Sequence, residues 1–326
     1  MKVIGLGNAL VDILVQLDND DIINTLGLPK GSMQLIDADA IPRITDLISL
    51  YASTMISGGS AANTIHGLSS LGTPTGFFGK VGKDELGRFY QNDLRAAGVE
   101  STLLHSDTVT GRAYTMITPD TERTFATFLG AAVEMTEAEI SRDLFSGYQM
   151  LHIEGYLVQN TNLIEQALKT AKSAGLQISL DLASFNVVET NLEFLQSIIP
   201  QYVDIVFANE EEAKAFTGKD PENALQELGR ICDIAVVKTG REGSLILSNG
   251  KTLKIGVIMV KALDTTGAGD QYAAGFIHGL SEGLSLEKCG KIGSLLAGTV
   301  IENYGARIPE KLWSSVLLKV EEIKRA

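Results

Sequence analysis

Two hydrophobic periods alternate along the chain. Short apolar runs ended by glycine or a polar residue read as buried strands: Lys2 to Leu6, Met150 to Ile153, Gln177 to Leu180, Asp204 to Ala208 and Ile234 to Val237. Apolar residues three and four apart predict helices with Ile41, Ile44, Leu47 and Ile48 and with Ile65, Leu68 and Leu71 (closed by Gly72), and over Thr161 to Ala174, stopped by Gly175. Further helices are predicted after Asn209 as far as Gly218, over Gln271 to about Gly283, about Leu286–Asn303 and Pro309–Lys324. Strands alternating with helices imply an α/β fold, a mostly parallel sheet covered on both faces.

Two stretches depart from that alternation. Gly111 to Thr118 has period two, with Ala113, Thr115 and Ile117 on one face and Tyr114, Met116 and Thr118 on the other. Pro119-Asp120-Thr121-Glu122 reads as a turn, and Arg123 to Phe128 returns as a second strand. With strands near 12–17 and 32–36, this hairpin predicts a small β-sheet lid drawn from about 12–37 and 109–130. Phe125 and Phe128 are either lid core or a cover for an apolar ligand ring. A separate hairpin turns at Asn249-Gly250. No repeat, low-complexity tract or linker interrupts residues 1–326, so a single domain is expected.

Polar residues gather just past the strand ends: Glu154, Asp181, Asn209, Thr239 and Asp264. Ligands of open α/β sheets bind at those ends, so these residues are read as one site. Its centre is Asp264-Thr265-Thr266-Gly267-Ala268-Gly269-Asp270. The glycines let backbone approach a ligand closely, and the opening of a helix favours an anion such as phosphate. A carboxylate inside an anion site is costly unless it does something, and the task open to Asp270 is to take a proton from an attacking hydroxyl. The stretch therefore points to phosphoryl transfer to an alcohol.

Other positions leave alternatives open. Asp12, within the apolar stretch Ala9 to Val15, is either a capped or partly wet turn or an acceptor for substrate hydroxyls. Ile56-Ser57-Gly58-Gly59-Ser60-Ala61-Ala62-Asn63 either packs helix on strand through its glycines or presents Asn63 to a polyol. Glu210-Glu211-Glu212 is either a solvated helix start or, through Asn209 and Glu212 on one face, a holder for the water shell of Mg²⁺.

Composition removes several classes. With 44% hydrophobic and 21% charged residues the chain is not disordered. A net charge of −13 disfavours nucleic acid as a partner. It also means that an anionic substrate needs local cations, Mg²⁺ together with a few Lys or Arg. The two cysteines, Cys232 and Cys289, have neither disulfide nor metal spacing. With no leader-like segment and no membrane-length apolar run, a cytoplasmic protein is expected. Gly5-Leu6-Gly7-Asn8-Ala9-Leu10 fails as a dinucleotide fingerprint, and neither GxxxxGK[ST] nor GxSxG occurs. His66, His105, His152 and His278 lack ligand spacing.

These motifs resemble the ribokinase-like (PfkB-type) carbohydrate and nucleoside kinases. Gly58 to Asn63 with Gly79-Lys80-Val81-Gly82-Lys83-Asp84-Glu85-Leu86-Gly87 is similar to the N-terminal signature, and Asp264 to Asp270 to the C-terminal one. Asn209 to Glu212 matches NxxE, and Thr239-Gly240-Arg241-Glu242-Gly243 matches TxGxxG. The resemblance implies a three-layer α/β/α domain with a β lid, and ATP-dependent phosphorylation of a primary alcohol with Mg²⁺ and possible use of K⁺. It implies Asp270 as base, the N–H groups of Gly267, Ala268 and Gly269 as anion hole, and Asp12, Gly59, Asn63 and Glu154 around the acceptor. It places Asn209, Thr239, Gly240, Gly243 and Asn303 around the nucleotide, Glu212 on Mg²⁺ through water, and Asp264, Thr266, Val300 and Gly305 around a monovalent cation. Gly7 to Ile13, Gly27 to Met33 and Asp264-Thr265-Thr266 resemble the adenosine-kinase-like branch. Ser60 stands where ribokinase proper has lysine in GGKGAN, which weakens ribose and favours a nucleoside, adenosine above others. The alternatives are a sugar kinase for fructose, ribose or a related polyol, and a non-catalytic ligand-binding homologue. Free edges of the lid sheet would also let two copies pair.

Overall fold

The computed structural model describes residues 1–120 and 122–326; Thr121, which the sequence puts in the hairpin turn, lies outside them. The strands in chain order are β1 (Val3–Leu6), β2 (Leu10–Gln16), β3 (Met33–Leu35), β4 (Ser53–Gly58), β5 (Thr75–Gly82), β6 (Glu100–Ser106), β7 (Gly111–Ile117) and β8 (Arg123–Phe128). They continue with β9 (Met150–Glu154), β10 (Gln177–Asp181), β11 (Ile205–Asn209), β12 (Ile234–Lys238), β13 (Ser244–Ser248) and β14 (Lys251–Ile255).

Nine of them form one sheet in the order β14-β13-β12-β11-β10-β9-β1-β5-β6, parallel except for the hairpin at the β13–β14 edge. Period two divides each strand between two cores. Val3, Met150, Ile205, Phe207, Ile234 and Val236 face the helices Ser60–Ser70, Ala268–Ser281 and Leu286–Val300. Ile4, Leu6, Leu151, Ile153, Val206 and Val237 face the opposite layer, which includes the helices Thr161–Ser173 and Leu192–Tyr202. The result is the three-layer α/β/α sandwich that the alternation predicts.

The remaining strands make a second sheet, β3-β8-β7-β2-β4. It contains the expected hairpin and the strands near 12–17 and 32–36, and also β4, which the sequence reading did not include in the lid. β4 pairs antiparallel with β2 from Leu10↔Gly58 to Val15↔Ser53 and leads directly into Gly59, so this sheet is tethered to the large one at the start of the helix Ser60–Ser70. Its alternation was hard to see because its outer half, Ser53, Thr54 and Met55, is exposed on an edge. No helix among the described residues is long and apolar enough to cross a membrane.

Strand order in the large sheet runs outward from β1 in both directions, through β5 one way and β9 the other. That is a topological switch point, and the cleft opens at the strand ends beside it, under the second sheet.

Candidate active site

The period that builds the core also aims the polar strand ends. In β9, Met150, His152 and Glu154 share a face; in β12, Ile234, Val236 and Lys238 do, and Met150, Ile234 and Val236 belong to the core under the helix Ala268–Ser281. Glu154 lies in register with Asp181 across β9 and β10, and Asn209 with Lys238 across β11 and β12. One face of four strands therefore delivers Glu154, Asp181, Asn209 and Lys238 to the same helix start. They line a cleft of about 1880 Å³, which exceeds the usual volume of a single small-ligand pocket and leaves room for two small molecules.

The helix begins at Ala268, three residues earlier than its apolar spacing predicts, so Asp270 lies in its first turn. Gly267 has φ 74, and a Cβ there would lie within 2.5 Å of Ala306 Cα, so glycine is required. Among the described residues, the N–H groups of Gly267 and Gly269 have no backbone acceptor, as an anion cradle needs. The N–H of Ala268 differs from expectation: it donates to Thr265 O at 3.2 Å, closing the turn.

Asp270 faces the cleft. Ser60 Oγ donates to its Oδ1 at 2.7 Å and Asn63 Nδ2 to its Oδ2 at 3.0 Å. Burial pushes its pKa up to about 6; the Ser60 and Asn63 bonds and the Lys238 charge pull the other way, and Asp181 adds to the rise. A carboxylate poised there can accept a proton near neutral pH.

The residues expected around the acceptor divide. Asp12 projects from β2 into the cleft beside Leu10 and Leu14; its carboxyl makes no hydrogen bond among the described residues, and burial pushes its pKa up to about 7 against the opposing charge of Arg307. Gly58 makes room for it, since a Cβ there would lie 2.3 Å from its Oδ2. Gly59 lines the cleft with φ 97, and a Cβ on it would meet Asn8 O at 2.1 Å. Asn63 is set back from the cleft wall and spends its amide on Asp270. Glu154 reaches the wall, but its oxygens accept from Asn8 N at 2.9 Å, Asn8 Nδ2 at 2.8 Å and Ala61 N at 2.9 Å. It is a bracket tying the end of β9 to the loop after β1 and the start of the helix Ser60–Ser70, 1% exposed, with its pKa raised to about 7 by burial.

Of the residues expected around a nucleotide, Gly240 and Gly243 line the cleft, while Thr239 is buried behind them with Oγ1 unpartnered among the described residues. Asn303 departs from expectation: it lies off the cleft wall, and its amide donates to Thr299 O at 3.1 Å. Asn209 and Glu212 are the N-cap and third residue of the helix Glu210–Thr217 and form a reciprocal capping box at 2.7–2.8 Å. Both still line the cleft, and burial raises the pKa of Glu212.

The set expected around a monovalent cation is otherwise engaged. Asp264 accepts from Thr266 N at 2.7 Å and Gly305 N at 2.8 Å, and the Arg123 guanidinium from β8 lies against both Asp264 and Thr266 Oγ1. Val300 is buried off the cleft, its carbonyl accepting from Asn303 N at 3.0 Å. The Arg123 guanidinium sets a positive charge against the Asp264 carboxylate and Thr266 Oγ1, so these side chains do not favour a K⁺ beside them.

Four contributors were missed from sequence. From sequence, Ser60 reads only as a missing lysine. Arg123 and Arg307, the latter binding Asp93 at 2.7 Å and the Ser57 carbonyl, come from distant segments. Lys238 had a usable signal, a charged residue ending an apolar parallel strand.

A model of the pfkB family carbohydrate kinases matches residues 34–312. Among solved structures, the adenosine kinase from Sinorhizobium meliloti is 37% identical, covers 98% of this chain and 99% of its own, and superposes with a TM-score of 0.85. A probable sugar kinase from Rhizobium etli CFN 42 is 34% identical over 99% and 98% of the two chains, with a TM-score of 0.87. The 5-dehydro-2-deoxygluconokinase of Bacillus subtilis (strain 168) is 28% identical over 83% of this chain and 88% of its own.

Proposed function

The chain belongs to the pfkB carbohydrate kinase family, whose members are phosphotransferases with a hydroxyl acceptor, and from that premise we propose that it transfers the γ-phosphoryl group of ATP to the primary hydroxyl of a nucleoside, most specifically adenosine. The observation that carries the reading is the Asp270 carboxylate. It is fixed by Ser60 and Asn63 at a helix start and faces a cleft with glycine N–H groups on one side and an apolar wall on the other.

The wall favours a nucleoside over a free sugar. Leu10 and Leu14 from β2, Met33 and Leu35 from β3, and Phe125 from β8 line it, with Met33 and Leu35 more than half exposed. An uncovered apolar surface of that kind suits a flat ring. Asp12 projects from the same wall at its base, where a ribose hydroxyl would meet it. At the opposite end, Val257, Ile258 and Met259 form an exposed apolar strip, Met259 at 89%, which suits the adenine of ATP.

In this mechanism Asp270 takes the proton of the acceptor hydroxyl. The oxygen forms a bond to the γ-phosphorus, the bond from that phosphorus to the bridging oxygen breaks, and its electron pair leaves on ADP. Gly267 and Gly269 N–H groups face the charge that develops. Mg²⁺ brought in with the nucleotide would meet Glu212 and Asn209 at the cleft edge, whose side-chain oxygens each accept one bond in the capping box and keep a lone pair for a water of the ion. Mg²⁺ held there through water would neutralise phosphate charge.

The test is ADP release with adenosine, inosine, ribose and fructose as acceptors. Turnover with adenosine at least tenfold above the sugars is expected. A preference for fructose or ribose would favour the sugar-kinase reading, to which the 28% identity with a 5-dehydro-2-deoxygluconokinase gives weight.

A further inference from the structure

We propose that Lys238 is a catalytic residue that binds the transferred phosphoryl group directly, braced for that purpose by Asp181; the proposal rests on the kinase reading above.

The cleft lining carries eight carboxylates, Asp12, Glu154, Asp181, Glu210, Glu211, Glu212, Asp264 and Asp270, against the cations Lys238 and Arg241. A polyphosphate entering such a cleft meets strong repulsion unless a cation stands at its reacting end. Arg241 is exposed in the loop after β12, whereas Lys238 ends the strand itself, its side chain 15% exposed. A Cβ placed on Gly269 would come within 2.9 Å of Lys238 Nζ, so the ammonium lies beside the glycine cradle.

The hydrogen bonds of Lys238 are incomplete in a way that points to a ligand. An ammonium has three donor protons. Among the described residues one acceptor is found, Asp181 Oδ2 at 2.9 Å. Asp181 is itself fixed, since its Oδ1 accepts from Ala183 N at 3.0 Å in a turn where Ala183 takes φ 67. Burial works against the charge of Lys238, but Asp181, Glu212 and Asp270 more than offset it and hold its pKa above the ordinary lysine value. It therefore keeps its three protons through the reaction. Phosphoryl transfer proceeds as written above: the proton goes to Asp270 and the electron pair of the broken bond to ADP, while Lys238 binds an oxygen of the moving group.

The competing explanation is an internal ion pair, with Lys238 present to neutralise Asp181. A double-mutant cycle separates the two. Lys238→Met leaves a buried carboxylate without its partner and lowers the melting temperature under either explanation; Lys238→Met with Asp181→Asn removes both charges and restores it. Turnover and nucleotide affinity distinguish them. If Lys238 binds the phosphoryl group, the double variant regains stability but keeps a loss of about 100-fold or more in kcat. Its acceptor KM moves less than about threefold, and calorimetry shows its preference for ATP over ADP reduced about tenfold. If the double variant returns to within about threefold of wild-type kcat with its ATP preference intact, the proposal is overturned while the kinase reading stands. If the wild-type chain releases no ADP with any acceptor, both fail.

Discussion

The two ends of the cleft are built by opposite means. The end we propose for phosphate is one contiguous stretch, Asp264 to Asp270, in which backbone would do most of the binding and glycine conformation is required by a contact with Ala306. The acceptor end is assembled from Asp12 on β2, Gly59 after β4 and the inner faces of β3, β7 and β8, all in the second sheet or at its junction with the first. One end presents few side chains and little choice; the other presents side chains that differ from strand to strand. On this division the phosphate end sets the reaction and the acceptor end sets the substrate, so substitutions at the two ends should move different kinetic constants.

The largest expected effect lies at the phosphate end. Asp270→Asn keeps the shape of the side chain and removes the base, so kcat should fall on the order of 100-fold or more while the acceptor KM changes by less than about threefold. Steady-state ADP release at saturating acceptor is the measurement, and an unchanged kcat rejects the assignment. Asp12→Ala should do the reverse. Losing a charged acceptor for a substrate hydroxyl is worth about 1.5–3 kcal/mol, or roughly 10- to 100-fold in KM, with kcat changed much less. If both substitutions lowered kcat alone, the division between the ends would be wrong.

That division also explains what the sequence disclosed. The helix start at Gly267 and the placing of Asp270 at the cleft were legible because the pattern is local: two glycines and a carboxylate lie within seven residues, whereas the roles of cradle and base stay a proposal. The sandwich was legible because apolar runs and helical spacing alternate without interruption. Contacts between distant segments were not. Ser60 and Asp270 are 210 positions apart and Lys238 and Asp181 are 57 apart, and the alternation that aims them shows as pairing only once the strand order is known. Glu154 illustrates the converse. Its place at a strand end was foreseen, but the backbone and side-chain amides of Asn8 and the N–H of Ala61 claim its oxygens, so it stabilises the cleft rather than presenting a free carboxylate. The Asn209–Glu212 pair was rightly placed on one face, and the sequence had no way to say that the two would first satisfy each other.

A smaller effect tests how the phosphate end is tuned. Asp270 must be ionised to act, and burial holds its pKa at about 6, so kcat/KM should fall as pH drops through about 6. Ser60 Oγ lowers that pKa by bonding the ionised form. Ser60→Ala removes a lowering influence, so the acidic limb should move to higher pH. A shift toward lower pH, or none, would show that the limb belongs to another group.

The smallest expected effect bears on the acceptor end, and it decides between the nucleoside and sugar readings. Phe125 lies on β8 in register with Thr115 on β7 and with Met33 on β3, and lines the cleft beyond the position where a ribose would meet Asp12. A nucleoside base reaches that far; a free sugar does not. Truncating Phe125 to alanine removes part of an apolar cover, and a partly exposed ring contact is worth about 1 kcal/mol, a few-fold in affinity. The KM for adenosine should therefore rise a few-fold while that for ribose or fructose stays put, at unchanged kcat for both. A parallel rise for all acceptors would instead place Phe125 in the packing of the lid. No change for adenosine would mean that the apolar wall does not touch the base, and the case for a nucleoside would then rest on family resemblance alone.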